Sequence, residues 1–269
     1  VIIHFNPWIG CQKVSPGCQN CYAARDNNRY QWVPEWGKDY RLTSEANWKK
    51  PIQWAKEAVK DGVTKRVFCA SLADVFDEKV PEHWRARLWQ LIDETYRIGG
   101  LEWLLLTKRP ENISTRIPMN VYHLNNIRIG ITCENQEMAD KRIPMLLNSW
   151  TGKNFISVEP MLSKINFDEV LLNNGDQVIQ WDNPSIPSGW DEYIDWIICG
   201  CESGANMKPG RPCNIDWIRS LRDQCEAAHV PFFLKQMEVD GNLVKEPVLD
   251  GRKWLEFPRI TNEENMDKD

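Results

Sequence analysis

Apolar residues recur along this chain in short runs, each breaking into polar and often ionisable residues. Val1-Ile2-Ile3-His4-Phe5 is a β-prone run, followed by strands at Lys65 to Ala70 and Leu101 to Leu106. The second of these is nearly all apolar, as a strand buried on both faces must be. Ile127 to Thr132, Asn154 to Val158, Asp195 to Cys199 and Val230 to Leu234 continue the series. Helical periods fill the gaps. A helix starts at Tyr22, a short one spans Trp54 to Val59, and Gln136 to Leu147 forms one that Pro144 kinks or cuts short. Trp84, Leu88, Leu91, Ile92 and Thr95 share one helix face between Pro81 and Gly99-Gly100. Asn214 caps a helix carrying Trp217, Ile218, Leu221 and Cys225.

Strands alternating with helices imply parallel βαβ units. The predicted fold is α/β: a partial or irregular TIM-like (β/α) barrel over residues 1–238. Gln31 to Lys50 reads as an aromatic, charged excursion that covers the site. Turn chemistry marks an insertion at about 165–192, with a short hairpin around Gln177 to Trp181. Residues 239–269 read as a C-terminal extension: a small β tail from Asn242 to Phe257, then an acidic, disordered end from Asn262 to Asp269.

In such a barrel, function gathers where strands end. The candidates are Ser71 and Asp74 after the second strand, and Thr107, Lys108 and Arg109 after the third. Thr132, Cys133 and Glu134 follow the fourth, Ser157 and Glu159 the fifth, Cys201 and Glu202 the sixth, and Lys235 the seventh. Caps, turns and ion pairs use the same residue types, so each position alone also has a purely structural reading.

The first strand delivers the chain into Asn6-Pro7-Trp8-Ile9-Gly10-Cys11, and Gly17-Cys18-Gln19-Asn20-Cys21-Tyr22-Ala23-Ala24-Arg25 follows. The cysteines are spaced C-x6-C-x2-C. Two residues between Cys18 and Cys21 let both sulfurs face one centre. Three ligands leave one iron of a cubane cluster open to a small molecule; zinc with His4 as fourth ligand is the alternative. Nine cysteines, an odd number, suit a reduced compartment better than a disulfide framework. Of the other six, Cys69, Cys199 and Cys225 fit the core, and Cys213 has no evident role. Cys133 and Cys201 stand at strand ends.

Composition narrows the partners. A net charge of −5 argues against a broad surface for unspecific DNA binding. Most of the 14 tryptophans fit core packing, with one or two available to stack on a base. No run reaches membrane-span length and no signal-peptide pattern is present, so a cytoplasmic setting is expected. Glycine-rich nucleotide fingerprints and a Walker lysine are absent.

Gly-Cys-x-x-Cys-Tyr-Ala-x-Arg after Asn-Pro-Trp-x-Gly-Cys resembles the cluster loop of radical S-adenosylmethionine enzymes, nearest the spore photoproduct lyase branch. The usual spacing there is C-x3-C-x2-C; this chain has three more residues in the first gap. The whole chain resembles a phage- and prophage-associated three-cysteine-motif family. Leu106 to Asn112, Ser157 to Met161, Gly200 to Gly204 and Pro231 to Gln236 carry that likeness.

The resemblance implies that Cys11, Cys18 and Cys21 hold a 4Fe–4S cluster. It implies S-adenosylmethionine as cofactor and a 5′-deoxyadenosyl radical as reagent. Tyr22, Ser71, Asp74, Lys108, Arg109, Thr132 and Glu134 would bind the cofactor. Asp74 would take its ammonium, Lys108 or Arg109 its carboxylate, and Thr132 and Glu134 its ribose. Glu159, Glu202 and Lys235 are left for substrate, with Cys201 or Cys133 as hydrogen donor. The implied substrate is a nucleobase or nucleic acid, undergoing modification or repair. Implied partners are an electron donor such as flavodoxin or ferredoxin and a phage-encoded protein. The rivals are a zinc-stabilised nucleic-acid or protein-binding module and a degenerate barrel with a structural cluster.

Overall fold

The computed structural model describes residues 2–172 and 193–259. Its frame is one curled sheet of β1 (Ile2–His4), β2 (Lys65–Cys69), β3 (Leu101–Thr107), β4 (Ile127–Thr132), β5 (Asn154–Val158), β6 (Ile197–Gly200) and β7 (Phe232–Val239). These strands lie side by side in chain order, every neighbouring pair parallel. An eighth strand, β8 (Asn242–Lys245), pairs antiparallel with β7. Asp240 and Gly241 between them both take left-handed backbone angles, with φ of 49° and 72°. An Asp-Gly pair meets that demand at little cost and matches the twist of the strands it joins. The architecture is the predicted one, an α/β half-barrel of TIM-like character.

Crossovers run through α1 (Tyr22–Tyr30), α2 (Lys50–Lys60), α3 (Glu82–Ile98), α4 (Gln136–Ser149), α5 (Phe167–Leu172) and α6 (Ile215–Ala227). Side chains along a strand alternate between the two faces of the sheet. On β3, Trp103 and Leu105 join the main core with Leu88 and Ile92 of α3, while Leu104 turns to a smaller inner cluster with Phe155, Trp196, Ile198 and Phe233. Gly130 makes room for that inner cluster: a Cβ there would stand 2.2 Å from the Phe155 ring.

Three elements differ from expectation. The fourth helix continues through Pro144 to Ser149, because its buried face of Met138, Ala139, Arg142, Ile143 and Leu146 outweighs one lost backbone bond. β7 runs to Val239 rather than stopping near Leu234, because β8 pairs with its second half. The β tail therefore belongs partly to the main sheet. α5 occupies part of the predicted insertion; the hairpin around Gln177 to Trp181 and the acidic end lie outside the described residues. Among the described residues, no helix is long and apolar enough to cross a membrane.

The N-terminal end of the half-barrel is closed by charge and by the chain's last described segment. Glu102, 2% exposed, meets Arg66 at 2.7 Å and Arg128 at 3.2 Å, and Arg128 also meets Asp195 at 3.0 Å. Arg66 donates to the Pro258 carbonyl at 2.9 Å and sits 4.9 Å from the Phe257 ring centre. Trp196 donates to the Glu256 carbonyl at 2.9 Å. Removing one partner of such a network strands the others in a low-dielectric interior. Glu102→Ala is expected to cost about 3–5 kcal/mol, read as a lower urea midpoint; an unchanged midpoint would refute this account.

Candidate active site

A cavity of about 380 Å³ opens at the C-terminal ends of the strands. That volume lies within the span of small-molecule sites, roughly 300–1,000 Å³. Its floor is apolar, with Phe68, Leu104, Leu106, Ile198 and Phe233 pointing in from the sheet. Cys11, Cys18 and Cys21 line one wall together.

The loop that carries these cysteines has little regular structure. Gly10 takes φ of 123°, and a Cβ there would stand 2.5 Å from the Asp39 carbonyl oxygen, so only glycine turns the chain into Cys11. Pro16–Cys18 forms a single 3₁₀ turn, and Cys21 immediately precedes α1. Three acid–arginine pairs hold this loop to the strand ends.

The first pair grips Cys11 and Gln12. Arg109 is 3% exposed and lies between Asp74 at 3.0 Å and Asp77 at 3.1 Å. Its Nη2 donates to the Gln12 carbonyl at 3.0 Å, and its Nη1 stands 3.9 Å from Cys11 Sγ. The Gln12 amide donates to Asp77 Oδ2 at 3.1 Å, and the Tyr40 hydroxyl to the same oxygen at 2.7 Å.

The second pair grips Gly17, whose amide donates to Glu134 Oε1 at 3.0 Å while Arg142 holds Oε2 at 2.8 Å. The third grips the far end of the loop. Glu202 accepts from Asn20 at 2.9 Å and pairs with Arg211, whose Nη2 also reaches the Pro16 carbonyl at 3.0 Å.

The cavity brings together most of the predicted residues: the three cysteines, Tyr22, Ser71, Asp74, Lys108, Arg109, Thr132, Glu159 and Lys235. Glu134 and Glu202 are not among its lining residues; they brace the cysteine loop from behind. Cys133 and Cys201 also lie apart from the lining, buried in the main core. Cys133 Sγ faces the Met138 carbonyl at 3.9 Å, and Cys201 is 2% exposed. These placements do not suit the ribose, substrate and hydrogen-donor roles expected of the four.

Asp74 lines the cavity but accepts from the Phe76 and Lys108 amides, the Thr107 hydroxyl and Arg109. Two carboxylate oxygens have about four lone-pair sites, so little capacity remains for an incoming ammonium.

The other lining groups differ in what holds them. The Thr132 hydroxyl is fully buried and, among the described residues, has no hydrogen-bond partner. Among the described residues, no carboxylate forms an ion pair with Lys108, whose neighbour Arg109 takes both nearby aspartates. Lys235 pairs with Glu159 at 3.0 Å and keeps half its side chain exposed. The Tyr22 hydroxyl donates to the Ser71 carbonyl at 2.6 Å, and Asn6 bonds the Ser71 hydroxyl at 3.0 Å.

Sequence reasoning missed Asn6, Gln12, Tyr40, Asp77, Arg142 and Arg211. Asp77 gave the nearest signal, three residues beyond Asp74 in the same polar stretch.

His4 lines the cavity, the position the zinc alternative requires. Yet among the described residues no group of three or more His, Cys, Asp or Glu side chains is arranged to hold a metal ion. Cys11, Cys18, Cys21 and His4 form no such group either, and a lone zinc would draw its ligands to about 2.0–2.3 Å.

A family model described as "Protein of unknown function (DUF5131)" matches residues 3–258. The chain belongs to the DUF5131 family. A search of curated proteins returned no match. The DUF5131 match spans the cysteine loop, the three acid–arginine pairs and the segment that closes the barrel floor.

Local electrostatics follow from this packing. Burial pushes the Cys11 thiol up, Asp74 adds to the rise, and Arg109 opposes it. Burial, then Lys235 and Lys245, hold His4 below its ordinary value, favouring neutral imidazole. For Glu134, burial pushes up but is outweighed by Arg142, the Ser15 hydroxyl and the Gly17 amide, leaving it below the ordinary 4.5. Glu202 likewise falls below 4.5: burial is outweighed by Arg211 and Asn20.

A lowered folded value means that the ionised carboxylate stabilises the fold above the unfolded value. That contribution is lost as pH falls through the folded value. Glu134→Gln is therefore expected to cost about 1–3 kcal/mol at neutral pH, with the gap to wild type narrowing as pH falls below the ordinary 4.5. Urea midpoints at neutral and acid pH test this; a gap unchanged by acid would assign Glu134 no charged role.

Proposed function

We propose that this chain is an iron–sulfur, S-adenosylmethionine-dependent radical enzyme acting on a nucleobase or nucleic acid. The observation that carries the reading is the shared cavity wall of Cys11, Cys18 and Cys21 at the C-terminal ends of parallel strands. The donor set fits a cluster: three thiols outside any disulfide, one of which, Cys11, lies 3.9 Å from the Arg109 guanidinium, whose charge opposes the burial that pushes that thiol up. In a cubane each cysteine binds a different iron, so the sulfurs need not converge on one point.

The three cysteines would hold the cluster and leave one iron open. Bound there with S-adenosylmethionine, it supplies one-electron cleavage of a carbon–sulfur bond and so a hydrogen-abstracting radical. Lys108 offers a cation to the cofactor carboxylate. Thr132 offers its unpaired hydroxyl to a ribose or ring edge, gaining the bond it lacks. The apolar floor takes a flat neutral group and excludes water from the reacting atoms. Glu159 and Lys235, paired at 3.0 Å on the cavity lining, are left to bind and orient the substrate. With a net charge of −5, strong binding to a polyanion calls for a partner that adds basic surface, such as a phage-encoded protein. A flavodoxin or ferredoxin supplies the electron.

Anaerobic reconstitution with iron and sulfide is expected to give a brown protein with about four iron per chain. Its paramagnetic signal should shift with S-adenosylmethionine, and dithionite should then yield 5′-deoxyadenosine. Alanine at Cys11, Cys18 or Cys21 should abolish all of this while leaving the fold intact. A cluster that ignores the cofactor would mark a degenerate barrel. A colourless chain carrying stoichiometric zinc would end the radical reading.

A further inference from the structure

The long first gap of the cysteine motif, C-x6-C, is held at its first residue. Both backbone groups of Gln12 are bound by one charged unit: the amide by Asp77 at 3.1 Å and the carbonyl by Arg109 at 3.0 Å. Arg109 cannot move freely, because Asp74 and Asp77 hold it at 3.0 and 3.1 Å and the Thr107 hydroxyl accepts from its amide at 2.9 Å. Tyr40 fixes Asp77 from the other side at 2.7 Å. The same guanidinium reaches Cys11 Sγ at 3.9 Å, the distance of a weak hydrogen bond to sulfur. A cation for the cofactor carboxylate would need a free fork; this one is committed.

We propose that Arg109 is a positioning residue for Cys11. With Asp77 it fixes where the extended gap places that sulfur, and its buried charge raises the reduction potential of the group bound there. This rests on the cluster reading above. The physics is that of an outer shell: hydrogen bonds to ligand sulfur and nearby fixed charge set both retention and potential of an iron–sulfur centre. Arginine suits the task because it stays charged when buried and presents a rigid fork to several acceptors at once. Asp74 and Asp77 moderate the charge, so removing each partner has a signed effect. Loss of Arg109 lowers the potential; loss of the Asp77 charge raises it. A role confined to shape gives no such reversal.

The test uses the full chain, reconstituted anaerobically, with three variants: R109Q, R109K and D77N. Midpoint potential is read by redox titration of the paramagnetic signal. Retention is read as the rate at which a chelator bleaches the visible absorption. Melting curves of the iron-free variants report folding separately.

R109Q is expected to titrate at lower potential than wild type and D77N at higher. R109K, which keeps the charge but not the fork, is expected near wild type in potential. All three should shed iron faster, roughly 10-fold or more. If R109Q does not fold, D77N and R109K still decide the sign against wild type: D77N high, R109K unmoved. Folded variants with wild-type potential and retention would overturn the role of Arg109 and leave the cluster reading standing. A wild-type chain that takes up no cluster, established before any variant is made, overturns both.

Discussion

An irregular loop can present three thiols to a cavity only if something else fixes it. Here buried charge does the fixing. Asp74–Asp77–Arg109, Glu134–Arg142 and Glu202–Arg211 reach the loop at its start, middle and end. They bond mainly its backbone, at Gln12, Pro16 and Gly17, with Asn20 held by its side chain. Backbone contacts specify position without constraining side-chain identity. Arg142 and Arg211 hold the Glu134 and Glu202 carboxyls below their ordinary value, and each arginine is tethered to a strand end or to a segment beside one. The loop thus inherits the stiffness of the sheet.

Much of the fold was legible because parallel strands buried on both faces leave continuous apolar runs. Leu101 to Leu106 and Ile127 to Thr132 read directly as β3 and β4. The differences arose where distant packing outvoted a local cue: Pro144 inside α4, and the β7 extension that needs β8 beside it.

The site was legible by position but not always by task. Ends of strands pointed to Ser71, Lys108, Thr132, Glu159 and Lys235, and these do line the cavity. They also pointed to Glu134 and Glu202, whose carboxylates brace the loop instead. Nothing local separates the two outcomes. Glu134 meets Gly17 across 117 residues and Glu202 meets Asn20 across 182, so the partner that decides the task is remote in sequence. Cys133 and Cys201 went the other way for a simpler reason: strand alternation sends them to the outer face, into the main core. Most tryptophans also serve packing, with Trp8, Trp103 and Trp196 fully buried.

The closed floor of the half-barrel has a consequence for traffic. Glu102 with its two arginines, and Phe257 and Pro258 across them, pack over the N-terminal ends of the strands, opposite the end that the cysteine loop flanks. For a ligand that enters past the cysteine loop, that packed end lies at the far side of the cavity. Two ligands that occupy it together are then queued: the one nearer the floor is first in and last out. Order of addition, more than affinity, would govern which of them can be exchanged while the other stays.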